Sequence, residues 1–145
     1  MAYRFSLATV LRVRESIENR EELALQRIKF EIAGVRRRIE ELNVEIENKY
    51  NARNKVLQKP VHAHRLQAIL SEVNAAIEKR QALIDSLQTL ESEREKRTKA
   101  YQAAHTDRQM LTDILTQQVN AYEQEQVRNQ QKQIDEIFAS RLHRS

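Results

Sequence analysis

The sequence predicts an all-α chain, a long antiparallel two-helix coiled-coil hairpin with a protruding C-terminal helix. Three observations predict it. The 145 residues include one Gly and one Pro, too few for the turns of a many-stranded fold, which rely on residues suited to special backbone angles. Two stretches carry apolar residues at alternating steps of four and three, the spacing that lays one stripe along a helix. The two stripes flank the single Pro in a register that sets apolar positions face to face.

Ala, Leu, Glu, Gln, Lys and Arg dominate the composition, and these are the strong helix formers. Charged residues make up 32% of the chain, a level also met in disordered segments, but regular Ile, Leu and Val spacing argues against disorder. The aromatics Tyr3, Phe5, Phe30, Tyr50, Tyr101, Tyr122 and Phe138 are scattered. Stability must therefore come from a long seam in a single domain, 1–145, and not from a compact core.

The first heptad runs from Leu25. One set of seam positions is Leu25, Ile32, Ile39 and Ile46; the other is Ile28, Val35 and Leu42. The pattern reaches back to Leu11 and Leu7 with a stutter near Ile17 and Glu18, fades through Lys49 and Arg53, and recovers at Val56. This predicts helix 1 over about 3–58. Pro60 removes a backbone donor and clashes inside a helix, so the turn is placed at about 59–63, with Pro60 tolerated where a new helix begins. No Ser, Thr, Asp or Asn stands there as a cap.

The second heptad predicts helix 2 over about 64–140. One set is Leu66, Val73, Leu87, Tyr101, Leu115 and Tyr122, interrupted by Arg80, Arg94 and Arg108. The other is Ile69, Ala76, Leu83, Leu90, Ala104 and Leu111, interrupted by Arg97. A turn centred on Val61 sets Ile39 against Leu83, Ile32 against Leu90, Val35 against Leu87 and Leu11 against Leu111. The same register leaves the segment from about Tyr122 onward with no facing helix, projecting roughly 36 Å at 1.5 Å per residue. That segment still carries Val127, Ile134, Ile137, Phe138 and Leu142.

The seam arginines weaken the stripe they interrupt. They are read as register or orientation control, or as side chains whose stems cross the seam while their heads reach water. Gly34 falls mid-helix, where a missing side chain permits close packing.

No residue pattern indicates an enzyme, and no cofactor is expected. One Gly rules out Gly-rich phosphate loops, and a two-helix rod offers no concave site in which to tune a carboxylate. The absence of cysteine excludes disulfides, thiol catalysis and Cys-type zinc sites. His62 and His64 lie near the turn without a third ligand. Arg36-Arg37-Arg38 is the densest basic run, but consecutive helical residues point about 100° apart and no aromatics interleave for base stacking, so nucleic acid is not the expected partner. The net charge of +4, from 25 basic and 21 acidic residues, is finely mixed and reads as a solvated helix surface. The amphipathic stretch from Tyr3 to Ile17 could lie on a membrane surface, though Leu7 and Leu11 also fit the seam. No apolar run is long enough to span a bilayer. The first residues lack a secretory signal, and a cytosolic protein is expected.

Short motifs at both ends add to this. Phe5, Leu7, Leu11 and Arg14 open the chain. Gln131-Lys132, Ile134, Asp135-Glu136, Ala139 and Arg141 stand near its end, with Tyr50 and Ala76-Ile77-Glu78 between. In these motifs, in total length and in the shorter helix preceding the longer, the chain resembles the FliJ family of flagellar type III export proteins over essentially its whole length. The resemblance implies a coiled coil like the rotor shaft of rotary ATPases. It implies partners too: the hexameric flagellar export ATPase, the cytoplasmic region of the export-gate membrane protein, and export chaperones, at the cytoplasmic face of the export apparatus. By match to the family, the gate contact would be Ile46, Tyr50, Ile69, Val73, Ala76 and Arg80. The ATPase-ring contact would involve the open end, with Phe5, Leu7, Arg14, Arg128, Lys132, Ile134, Ile137, Phe138 and Arg141. Other readings are the stalk homologue of injectisome type III secretion, a structural coiled-coil adaptor dimerising through the C-terminal segment, and a nucleic-acid-binding helical arm.

Overall fold

The computed structural model describes the backbone of residues 2–60 and 62–144 and the side chains of residues 7–60 and 62–144. Two helices account for nearly all of it, α1 (Ala2–Leu57) and α2 (Ala63–Arg144), with no strand among the described residues. The two helices pack against each other as an all-α helical hairpin. α2 continues past the expected stop near Ser140. Arg141, His143 and Arg144 lie in its last turn, where positive charge favours the carbonyl end of the helix dipole.

The connection is built without a side-chain cap. α1 tightens as it ends: the amides of Gln58 and Lys59 donate to the carbonyls of Lys55 and Val56, the three-residue closure that satisfies terminal carbonyls. Pro60 follows, where it cannot continue the helix. α2 starts from the carbonyl of His62, which accepts from the amides of Arg65 at 3.0 Å and Leu66 at 3.5 Å. Pro60 therefore lies in the connection itself, ahead of the first turn of α2.

Interhelical packing falls into two units, Glu21–Tyr101 and Met1–Arg20 with Gln102–Ser145. In the first, the stripe read from the sequence is the core. Leu25, Ile28, Ile32, Leu42 and Ile46 of α1 and Val73 and Ala76 of α2 are buried, and Val35, Ile39, Leu83, Leu87 and Leu90 are half-buried at its edges. Arg36 meets Glu91 and Lys49 meets Glu72 across the pair, so rising numbers on α1 face falling numbers on α2, as an antiparallel pair requires. The faded stretch of the heptad is also accounted for. Lys49 packs half-buried with its head between Glu45 and Glu72, and the Arg53 guanidinium lies over the Tyr50 ring, 5.0 Å from its centre, within cation–π range.

In the second unit, Leu7, Leu11, Leu111 and Leu115 are half-buried and Ala104 is buried. Arg14 approaches Asp107 at 3.7 Å. The close packing expected of Gly34 is not made within the chain: a Cβ placed there meets nothing within 4 Å.

Leu42 is 1% exposed, so Leu42→Ala removes seam contacts that the neighbours cannot replace. The expected loss is about 2–4 kcal/mol, read as a lower urea midpoint. Leu23→Ala, at an exposed position of the same helix, should stay within about 0.5 kcal/mol. Equal effects would contradict the assignment of the seam.

Candidate functional site

Beyond Tyr122 the pairing ends. Every described residue from Glu123 to Arg144 is exposed while remaining helical. Val127, Ile134, Ile137, Phe138 and Leu142 are each 56–64% exposed. Arg128, Lys132, Arg141 and Arg144 are exposed on the same stretch. Isolated helices owe little to propensity alone; here continuity with the paired part of α2 supplies the nucleus, and the Gln131 amide donates to Asp135 one turn on at 3.1 Å.

The other residues expected at this end are placed differently. Leu7 is half-buried in the pairing of its unit, and Arg14 is exposed with Asp107 as neighbour. The Phe5 side chain lies outside the described residues. The six residues matched to a gate contact come together in the Glu21–Tyr101 unit, but not as one surface. Ile46, Val73 and Ala76 are buried in the seam, Val73 at 2% exposure, and present no outer surface of their own. Tyr50, Ile69 and Arg80 are half-buried and reach the outside. Arg80 donates to the Asn43 side chain across the pair at 3.0 Å.

Two of the seam arginines, Arg97 and Arg108, have acidic partners across the pair that were not read from the sequence. Arg97 lies 3.8 Å from Glu21. Arg108 donates through Nε to Glu18 at 2.7 Å, and the same carboxylate lies 3.4 Å from Nδ1 of His105. Glu18 and Glu21 continue the heptad of Leu25 and Ile28 backward, so the signal was present: acids at seam positions of one helix facing bases at seam positions of the other. The pairs set cross-helix register with polar layers while the stems of the arginines stay packed.

Glu18 is the group whose titration this arrangement changes. The hydrogen bond from Arg108 holds its carboxyl below the ordinary value of 4.5, partly opposed by burial and aided by His105 and by both neighbouring charges. A depressed carboxylate stabilises the fold fully above its unfolded-state pKa, and the contribution is lost as pH falls through the lower, folded-state value. Glu18→Gln should therefore melt below wild type at neutral pH and converge with it as the pH drops below the ordinary carboxylate range. Thermal melts across that range check this; a constant difference at all pH values would contradict it.

The remaining features are sparse. Exposed His62 and His64 stand at the start of α2, and among the described residues no group of three or more His, Cys, Asp or Glu side chains is placed to hold a metal. No helix among the described residues is long and apolar enough to cross a membrane. The geometry is that of a polar-layered seam and an exposed helix that carries apolar residues. Neither the curated proteins nor the solved structures contain a match, but the family model described as the flagellar FliJ protein matches residues 3–145. The chain thus belongs to the FliJ family, structural components of flagellar type III protein export.

Proposed function

We propose that the protein acts as a rotor-shaft-like stalk of the flagellar export apparatus. In this reading it binds the hexameric export ATPase through the helix beyond residue 122. It contacts the cytoplasmic region of the export gate near its turn, assists delivery of chaperones and substrates, and works peripherally at the cytoplasmic face of the apparatus.

The bare C-terminal helix carries the reading. Apolar surface of this extent, with basic residues beside it, marks a site that a partner covers. Val127, Ile134, Ile137 and Phe138 supply the apolar contact, and Arg128, Lys132 and Arg141 suit carboxylates on the wall of a ring. Mixed apolar and charged contacts of modest area favour a transient grip, which a moving shaft needs. The same surface also suits a homodimeric adaptor, and sedimentation distinguishes the two.

Deleting residues 125–145 removes described residues that are all exposed. The truncated protein should keep the cooperative melt of the full chain and lose stimulation of the ATPase hexamer. Undiminished stimulation would assign the ATPase contact elsewhere. A concentration-dependent dimer of the full chain that has no effect on the ATPase would favour the adaptor.

For the gate contact, Tyr50→Ala with Arg80→Ala should weaken binding to the gate's cytoplasmic region by tenfold or so, about 1.4 kcal/mol, with the fold retained. Both side chains reach the outside, unlike Val73, so lost binding would not simply report a lost seam. Unchanged affinity in a pull-down titration would sink the gate assignment.

A further inference from the structure

A second stripe on α1 repeats the four-three spacing away from the seam: Leu23, Arg27, Phe30, Gly34 and Arg37. All five are exposed, Phe30 at 79%. The hairpin does not need them there. Gly in a helix interior weakens the helix relative to Ala, yet the space beside Gly34 is open and no residue of the chain enters it. The three consecutive arginines divide in the same way. Arg36 pairs with Glu91 at 2.6 Å and Arg38 with Glu41 at 3.2 Å, whereas Arg37, like Arg27, enters no ion pair among the described residues.

We propose that this stripe is a docking face for a carboxylate-bearing amphipathic helix of a partner protein. Phe30 is a knob and Gly34, one turn later, a notch. Together they let a second helix approach closely, the large side chain filling a gap in the partner while the absent one admits the partner's own knob. Charge defines the partner's chemistry. Arg27 and Arg37 bracket the knob and notch about 15 Å apart along the helix, so the partner offers carboxylates at similar separation on either side of an apolar stripe. A polyanion fits less well. Glu22 and Glu40 on one flank, Glu31 on the other and Glu41 at the stripe's next position repel a continuous phosphate surface, and a backbone notch gives such a surface nothing to hold. The face lies within the Glu21–Tyr101 unit and shares no residue with the ATPase or gate contacts.

The test uses the full chain and a fluorescent Ala-Leu-Glu amphipathic peptide of about 20 residues, long enough to form a helix, with its Lys-for-Glu counterpart as control. Anisotropy at physiological salt should show saturable binding of the acidic peptide and none of the basic one. Arg27→Glu with Arg37→Glu, Phe30→Ala, and Gly34→Leu should each weaken binding tenfold or more. Gly34→Leu should melt no lower than wild type, so its loss of binding reports the filled notch and not a damaged fold. The docking face would be overturned by an absence of saturable binding, by Phe30→Ala and Gly34→Leu variants that bind like wild type, or by tighter binding of single-stranded DNA or phosphatidylserine vesicles than of the peptide. Self-association of the wild-type chain that the same substitutions abolish would also overturn it, by making the occupant a second copy.

Discussion

The apolar seam between α1 and α2 is the constraint on which the rest depends. A two-helix hairpin has no third element to close its core, so each apolar residue must lie on one narrow line to be removed from water. Leu25, Ile28, Ile32, Leu42 and Ile46 succeed on α1, and Val73 and Ala76 on α2. Their four-three spacing matches the period at which a helix returns to one face. The edges stay wet, which explains why Val35, Ile39 and Leu87 are only half-buried although they belong to the same stripe. Long charged side chains then finish the seam by packing their stems and pairing their heads.

Such a seam is not uniform along its length. Among the described residues, seven of the eight buried apolar ones lie in the Glu21–Tyr101 unit. The other unit buries Ala104 and relies on half-buried leucines together with the Glu18, His105 and Arg108 cluster. An ion pair with Glu18 at 14% and Arg108 at 24% exposure costs more desolvation than a surface pair, and its benefit is greater for register than for stability. Apolar contact dominates one unit and polar layering the other. Local stability follows local burial, so the polar-layered unit draws less of its pairing from apolar contact than the other.

The proposed contacts fall on the surfaces left over. A chain that spends its aliphatic residues on one seam has little reason to display others, yet several are displayed, two groups of them at proposed contacts. One lies on the bare end of α2 and suits the ATPase partner of a flagellar export stalk. The other is the stripe of Leu23, Phe30 and Gly34 on the outside of α1. The proposed recognition rests on helix faces, where spacing, knob-and-notch shape and flanking charge would determine what binds.

Much of this was legible in the sequence. Periodicity located both helices, the single Pro located the connection, and matching the two stripes gave the register, because these depend only on residues near one another or on one repeat meeting another. The bare segment beyond Tyr122 followed by counting. The motifs at both ends pointed to the FliJ family, which the family match then showed. What periodicity alone did not decide were matters of distance between the helices. It ranked Arg97 and Arg108 as interruptions, whereas their meaning came from Glu21 and Glu18 across the seam. The family match grouped Ile46, Val73 and Ala76 with Tyr50 and Arg80, whereas packing buried the first three, at the seam positions periodicity gave them, and left the others at the rim. It read Gly34 as a site of close packing, and only the folded pair revealed that the space beside it is empty. A repeat specifies which face of a helix is apolar; how far each side chain sinks, and which charge it finds there, is decided when the second helix arrives.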